Sequence, residues 1–152
     1  MRRSIGAKLL LACLVVGALY ADDDRPRKSD QSLSAILKSV AKAGYESITE
    51  ASYDDGQWEI EALKNDEPVG LRVDPKSGKI LRHHADEPHP KLPAKALTLP
   101  AIVGRLEQAG FAPIKQAEFQ VTGWEVEALH DGSWRELVLD NEGEIVADQP
   151  DR

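Results

Sequence analysis

The stretch Trp58–Leu63 reads WEIEAL, and the stretch Trp124–Leu129 reads WEVEAL, 66 positions further along the chain. In both, tryptophan, isoleucine or valine, and alanine occupy every second position, with glutamates between them. Successive side chains of a β-strand point to opposite faces, so this alternation predicts a strand with one apolar face against a core and one acidic face toward water. The sequence therefore predicts the same kind of strand twice.

The similarity extends well beyond these two strands. At the same offset, residues 33–74 align with residues 99–140 without a gap, and apolar positions fall on apolar positions. The triplet Ala43-Gly44-Tyr45 matches Ala109-Gly110-Phe111. Self-similarity at a fixed period is the signature of a repeated structural unit. We therefore predict two tandem repeats.

Each repeat starts with a pattern that is typical of an amphipathic helix. The apolar residues follow the i, i+3, i+4, i+7 spacing of one helix face, at Leu33, Ile36, Leu37 and Val40 and again at Leu99, Ile102, Val103 and Leu106. Ser32 and Thr98 are the predicted N-caps, and Pro100 is tolerated in the first turn. Gly44 and Gly110 are predicted to end the helices, because glycine readily adopts the left-handed conformation found there.

Strands are predicted after each helix. In the first repeat they cover residues 48–53, 58–63, 70–73 and 79–82, with turns rich in Asp, Gly, Pro and Ser between them. The second repeat closes with a strand at residues 144–147. The predicted fold class is α+β, with two tandem repeats that each pack an N-terminal helix on a small antiparallel β-sheet. Units of this size are marginally stable alone, so we expect the two to pack together.

The composition sets the predicted boundaries. Repeat 1 covers residues 31–86, and repeat 2 covers residues 97–149. Residues 87–96 contain three prolines and are predicted to form an extended linker. Residues 22–30 are polar and are predicted to be a flexible N-terminal segment. Residues 1–21 have the composition of a signal peptide.

The signal-peptide prediction rests on a basic start, an apolar stretch at residues 9–20, and Ala21 in front of an acidic run. The apolar stretch is shorter than the roughly 20 residues of a spanning helix, so no stable membrane anchor is predicted. We expect cleavage after Ala21 and a periplasmic or secreted protein. The single cysteine, Cys13, leaves a lipoprotein signal as the alternative. Cleavage after Ala21 would leave a mature chain without a disulfide.

The charge of the chain limits its partners. The formal net charge is −7 over 152 residues, and the basic residues form no cluster. Nucleic acids and anionic membranes attract clustered Lys and Arg, so neither is a predicted partner. The sequence contains no Gly-x-Ser-x-Gly motif and no glycine-rich phosphate loop. We therefore predict neither an enzyme nor a cofactor.

Both repeats resemble the PepSY domain family and the related β-lactamase-inhibitor-protein-like secreted domains. The shared pattern is a helix ending in Ala-Gly-aromatic, a Trp-Glu-apolar-Glu-Ala strand, and then Leu71–Asp74 with Gly78-Lys79-Ile80, or Leu137–Asp140 with Gly143-Glu144-Ile145. The resemblance implies a helix on an antiparallel sheet, a periplasmic or extracellular setting, and no catalysis. It also implies a domain that binds or inhibits peptidases, which this chain would do in trans.

One tryptophan breaks the repeat. Trp134 is matched in the first repeat by Pro68, and it lies beside a predicted turn. Tryptophan and arginine are enriched at binding hot spots, so Trp134, Arg135 and Asp131 are the predicted partner-binding residues. The alternative is that Trp134 only covers the end of the sheet. The matched Trp58 and Trp124 are predicted to be core residues.

A second group of candidate residues precedes the linker, at His83, His84, Asp86 and His89. Imidazole and carboxylate groups are ligands for zinc and copper, so these four are candidate metal ligands. Adjacent His83 and His84 would point to opposite sides of a continuing strand, which makes a shared ion difficult. The alternative is that they only reflect the composition of the linker.

The glutamates of the two matching strands form the third group. Glu59 with Glu61, and Glu125 with Glu127, share one strand face. A hydrolase with paired carboxylates would need a cleft that separates their pKa values. The alternative is a solvated face whose charges discourage pairing with other sheets.

These observations predict a secreted, non-catalytic PepSY-type binding module. Its partner would be a peptidase or another envelope protein, and inhibition is the form of regulation that the resemblance implies. Binding is expected through a sheet edge or through the segment at residues 131–135. The alternative function is a periplasmic protein that binds or senses a metal ion or a small ligand.

Overall fold

A computed structural model describes residues 24–152 of the chain, so the predicted signal peptide lies outside the described residues. The first set of elements is α1 (Leu33–Lys42), β1 (Glu46–Asp54), β2 (Gln57–Lys64), β3 (Glu67–Val73) and β4 (Ile80–Ala85). The second set is α2 (Leu99–Gln108), β5 (Ile114–Gln120), β6 (Gly123–His130), β7 (Ser133–Asp140) and β8 (Ile145–Pro150). Neither of these helices has the length and apolar character needed to cross a membrane.

The eight strands form one antiparallel sheet in the order β4-β3-β2-β1-β5-β6-β7-β8. The sequence predicts a small sheet for each repeat, whereas the structure joins them, because β1 and β5 pair at the centre with Ala51 opposite Ala117. This pairing satisfies backbone N–H and C=O groups that two separate sheets would leave exposed at their edges. The predicted α+β class is confirmed, and the duplication of the sequence unit stays a prediction.

Both helices begin and end where the apolar spacing predicts. The Ser32 hydroxyl accepts a hydrogen bond from the backbone N–H of Ala35 at 3.3 Å and so caps α1. Thr98 occupies the N-cap position of α2, as predicted, although its side chain makes no capping bond. Pro100 has no N–H to offer in this first turn. The glycines that follow both helices have φ values of +90° and +88°, in the left-handed region, as predicted.

The core lies between the two helices and one face of the sheet. Trp58 and Trp124 are fully buried there, which confirms their predicted place. Each packs edge-on against the aromatic residue opposite it on the neighbouring strand, Tyr53 or Phe119, with ring centroids 5.2 Å apart in both pairs. Such aromatic pairs add about 0.5–1.5 kcal/mol beyond the burial of their apolar area.

Strand β4 is longer than the sequence predicts. It continues to Ala85 because β3 provides a partner for each added residue, with His84 opposite Gly70 and Ala85 opposite Val69. The chain then enters the proline-rich segment, where Leu92 and Leu97 pack against the core. The two histidines of β4 therefore belong to the sheet, and the linker starts after them.

Candidate functional site

The other face of the sheet carries no helix in the part of the chain that the structure describes. We call it the open face. Its side chains are those that alternate with the buried ones, so Glu59 and Glu61 on β2 lie there while Trp58, Ile60 and Ala62 are buried on the opposite face. The alternation in the two matching strands thus correctly predicts one apolar and one acidic face.

A row of four glutamates crosses the centre of the open face. The four residues lie on four neighbouring strands of the sheet, β2, β1, β5 and β6, and each is directly opposite the next. In that order they are Glu61, Glu50, Glu118 and Glu125. We call these four residues the glutamate row. Neighbouring strands lie about 4.8 Å apart, and like charges in directly opposed positions repel. The centre of the open face therefore carries electrostatic repulsion in the free protein.

Partial burial and repulsion change the acidity of two members of the row, Glu50 and Glu61. Burial, followed by the charges of Glu61, Glu118 and Glu59, raises the pKa of Glu50 from 4.5 to about 7, against the effect of a hydrogen bond with Ser52. Burial also raises the pKa of Glu61, while the nearby imidazole of His89 lowers it. The negative charge of Glu50 therefore changes with pH near neutrality.

Basic side chains on the open face neutralise carboxylates outside the row. Arg72 forms an ion pair with Glu59. The Lys115 ammonium lies 2.5 Å from a carboxylate oxygen of Glu127 and 2.6 Å from one of Asp151. Within residues 24–152, none of the ion pairs reaches a member of the glutamate row. The four central carboxylates are thus left without a cationic partner in contact.

A cavity of about 420 Å³ opens on this face beside the row, and we call it the charged notch. Its lining carries charges of both signs, among them those of Glu50, Glu61, Arg72 and Arg82. Gly70 leaves room at its floor, because a Cβ there would lie 2.5 Å from Nε2 of His84. The His84 ring thus occupies space that a side chain at position 70 would need.

The predicted partner-binding residues lie on different surfaces. Trp134 is half-buried, and its ring centroid lies 5.3 Å from Arg25 Cζ and 5.2 Å from Lys115 Nζ. Arg135, the next residue of β7, points to the opposite face, where its Nε donates to Asp148 at 2.7 Å. Asp131 is exposed in the preceding turn. Only Trp134 of the three therefore shares the open face with the glutamate row, and a role in binding stays a prediction for each.

The two histidines of β4 lie on opposite faces of the sheet, as their adjacent positions predict. His83 lies on the helix side, where its Nδ1 is 2.9 Å from the hydroxyl of Tyr45. His84 lies on the open face, over Gly70. Two ligands on opposite faces cannot hold the same metal ion.

The other two candidate ligands lie where the chain leaves the sheet. Asp86 lines the charged notch, and its carboxylate accepts a hydrogen bond from the backbone N–H of Glu87 at 2.8 Å. Nδ1 of His89 lies 3.2 Å from the hydroxyl of the buried Thr49. Among residues 24–152, no three His, Cys, Asp or Glu side chains converge as metal ligands would. Metal binding stays a prediction without a converging set of ligands.

Sequence reasoning missed two members of the glutamate row, Glu50 and Glu118. A local signal was available, because the buried Ala51 and Ala117 place their neighbours in sequence on the open face. The pairing of β1 with β5, which brings the two carboxylates together, has no local signal. Pairing between distant segments is decided by the whole sheet.

The fold defines a small α+β domain with one covered and one charged open face. The chain belongs to the PepSY_2 family, described as the peptidase propeptide and YPEB domain, whose family model matches residues 6–84. This confirms the resemblance to the family over residues 6–84, whereas the resemblance of residues 97–149 stays a prediction. Because the family joins peptidase propeptides with the YpeB domain, it indicates a regulatory or binding module and not a catalytic domain.

Solved structures that match over most of this chain include three bacterial proteins. A protein described as a lipoprotein, from Clostridium difficile 630, has a TM-score of 0.43 and 9% identity over 86% of this chain and 98% of its own. The Bacillus megaterium YpeB C-terminal domain has a TM-score of 0.33 and 9% identity over 86% and 70%. A DUF2874 family protein from Bacteroides uniformis ATCC 8492 has a TM-score of 0.31 and 13% identity over 79% and 89%. A search of curated proteins found no match.

Proposed function

We propose that the protein is a non-catalytic PepSY-type binding module of the cell envelope or the extracellular space. It engages a protein partner through the open face of its sheet and regulates that partner. A peptidase is the leading candidate, because the family is described by the propeptides of peptidases. The observation that carries the proposal is the open face itself, with its row of carboxylates that lack a cationic partner.

The open face is better suited to binding than the edges of the sheet. Each edge strand pairs irregularly with its neighbour. The register shifts between Arg72 and Val73 of β3 where β4 pairs with it, and between Val138 and Leu139 of β7 where β8 pairs with it. Such bulges bend a strand and interrupt its hydrogen-bonding pattern, which discourages the addition of another strand. Binding through the side chains of the open face does not require the addition of a strand.

The location follows from the predicted signal peptide. A basic start and a short apolar stretch before Ala21 direct the chain out of the cytoplasm, and the apolar stretch is too short for a stable anchor. The partner would therefore be a protein of the envelope or the surroundings of the cell. Inhibition would result from steric occlusion of the partner by the open face.

We also propose that the two halves of the fold arose by duplication. The 66-residue offset matches Ala51 with Ala117, and these two residues pair with each other at the centre of the sheet. If two copies of one unit are joined through their first strands, β1 and β5, the resulting sheet has one face that is twice as wide as that of a single unit. The broad open face would then be a consequence of the duplication.

The test is capture of the partner by surface variants. Tagged protein from Asp22 onward, which contains every described element, is incubated with an envelope extract of its own organism. We expect Glu118→Lys to lose a protein that the wild type retains, because it reverses a charge within the glutamate row. Glu144→Lys makes the same charge change in the exposed β7–β8 turn and should retain it. Equal retention by both variants would contradict binding through the open face.

A second variant tests the predicted aromatic anchor. Trp134→Ala removes the half-buried ring from the end of the open face. Weakened capture by this variant, with an unchanged circular dichroism spectrum, would include Trp134 in the binding surface. Unchanged capture would show that Trp134 is not part of the binding surface. The proposal would then depend on the result for Glu118→Lys alone.

A further inference from the structure

The open face carries two separate runs of like charge. The first is the glutamate row, on the strands from β2 to β6. The second is the pair Arg72 and Arg82, directly opposite each other on β3 and β4 at the charged notch. Directly opposed like charges are unfavourable in a sheet. Arg72 is already in an ion pair with Glu59, which leaves Arg82 as the cation of the notch that lacks a counter-charge among the described residues. A ligand with both signs of charge would compensate the glutamate row and Arg82 at once.

The positions of these runs fix the spacing of such a ligand. Glu50 lies on β1 and Arg82 on β4, three strand intervals apart. The residue of β4 directly in line with Glu50 across the sheet is His84, so Arg82 is also displaced by two residues along the strand. Strands lie about 4.8 Å apart and a strand rises about 3.4 Å per residue, so the two groups are roughly 16 Å apart. An extended polypeptide covers that distance in about four to five residues.

We propose that the glutamate row and the charged notch bind an extended segment of the partner protein, with a lysine or arginine over the glutamates and a carboxylate four residues away over Arg82. The inference rests on the proposed function and names the chemistry of the partner that the open face recognises. Charge complementarity at both ends determines the direction in which the segment lies. Opposite charges at the wrong spacing would leave either the glutamate row or Arg82 without a counter-charge.

The shape of the site favours a polypeptide segment over an ion. The notch is open to solvent, and its cavity of about 420 Å³ has room for more than one side chain. No three ligating side chains converge there among the described residues, so a bare cation would find no coordination shell. Bidentate pairing of Arg82 with a carboxylate is the geometry for which a guanidinium is suited.

The acidity of Glu50 gives the binding a pH dependence. The groups that face Glu50 are Glu59 and Glu61 from β2 and Glu118 from β5, with Ser52 on its own strand. A bound cation favours the charged form of Glu50, so binding releases a proton near neutral pH. Affinity should therefore rise as the pH increases through about 7, where Glu50 titrates.

The probe is a synthetic peptide, Lys-Ser-Gly-Ser-Glu with both ends blocked, titrated into isotopically labelled protein from Asp22 onward and followed by NMR. We expect the backbone amides that shift to be those of the glutamate row and of Arg82. A peptide with Gln in place of Lys, and one with Gln in place of Glu, should each bind about tenfold more weakly. Equal binding of all three peptides, or shifts confined to other surfaces, would overturn the inference.

Matched variants locate the two contacts. Glu50→Gln together with Glu118→Gln should weaken the Lys-Ser-Gly-Ser-Glu peptide about tenfold, and Arg82→Gln should weaken only peptides that retain the glutamate. Glu144→Gln should change neither, and the spectra themselves report whether each variant is folded. Spermine, a free polycation, tests whether the site binds any small cation instead of a peptide. If it displaces the peptide completely and Arg82→Gln has no effect, the site binds simple cations and the inference is wrong.

The two proposals can fail separately. Capture that depends on Glu118, together with no binding of the peptide, leaves the open face as the docking surface and overturns the peptide chemistry. Capture that is independent of the open face overturns the proposed function. The inference then falls as well, because it rests on that function.

Discussion

Ala51 and Ala117 lie directly opposite each other where β1 pairs with β5, at the centre of the eight-stranded sheet. Both are fully buried on the face that the helices cover. Their side chains are single methyl groups, α1 and α2 contact each other, and α2 contacts β1. The junction of the two halves therefore depends on two small residues, which the 66-residue offset also matches with each other.

A larger side chain at this junction should destabilise the protein. Ala51→Leu places three additional carbons in a close-packed interior, and such overpacking costs about 1–3 kcal/mol. Ala41→Leu makes the same change at an exposed position of α1 and should shift the free energy of unfolding by less than about 0.5 kcal/mol. Urea denaturation measures both. Equal effects of the two variants would show that the junction is not tightly packed.

Two glycines should respond to alanine in opposite directions. A Cβ at Gly123 would lie 2.0 Å from the backbone carbonyl oxygen of Leu139, which cannot move aside without breaking the β6–β7 pairing. We expect Gly123→Ala to cost about 2–4 kcal/mol. Gly104 lies within α2 with nothing near its Cβ position, so Gly104→Ala should stabilise the protein by about 1 kcal/mol. Thermal unfolding of both variants is the measurement, and a lowered Tm for Gly104→Ala would contradict the packing around α2.

The two helices are also joined through a carboxylate. Ser34, in the first turn of α1, donates to Glu107 of α2 from its hydroxyl at 2.5 Å and from its backbone N–H at 3.2 Å. Hydrogen bonds to a charged acceptor contribute about 1.5–3 kcal/mol, and a negative charge is favourable near the start of a helix. We expect Glu107→Ala to lower the free energy of unfolding by about 1–2 kcal/mol. Glu87→Ala, in the exposed linker, is the control and should have no measurable effect.

The acidity of Glu50 makes stability depend on pH. Its pKa of about 7 in the folded protein exceeds the usual 4.5, so the folded state binds this proton more tightly than the unfolded chain does. The stabilisation is fully present below about pH 4.5 and is lost as the pH rises through 7. Because the side chain is only half-buried, we expect the loss to be about 1–2 kcal/mol.

The variant Glu50→Gln isolates this effect from that of the other carboxyls. It should match the wild type in stability near pH 4.5 and exceed it by about 1 kcal/mol at pH 8, because the amide never becomes charged. Urea denaturation at several pH values gives the difference. A constant difference between the two proteins across this range would contradict the raised pKa of Glu50.

Much of the fold could be predicted because its signals are local. The alternation in WEIEAL placed Trp58 and Ile60 in the core and Glu59 on the open face, and the helix spacing placed Leu33 and its partners. The single eight-stranded sheet could not be predicted, because nothing near Ala51 in the sequence indicates that β1 pairs with β5. Each strand carries the same apolar and polar alternation whether it lies at an edge or at the centre.

The candidate site was predicted only in part for the same reason. Glu59, Glu61 and their equivalents were recognised as an acidic face, whereas the row through Glu50 and Glu118 results from pairing across the junction. The grouping of Trp134 with Arg135 followed their adjacency in sequence. A strand separates adjacent residues onto opposite faces, so sequence neighbours there are not surface neighbours.

Site-specific crosslinking in living cells tests binding through the open face most directly. A photoreactive amino acid is placed at position 52, in the middle of the open face, and in a second protein at position 38, on the outward side of α1. We expect position 52 to crosslink to an envelope protein in the cells of its own organism, and position 38 to give no such product. A partner crosslinked from position 38 and absent from position 52 would show that the helices, and not the open face, form the docking surface.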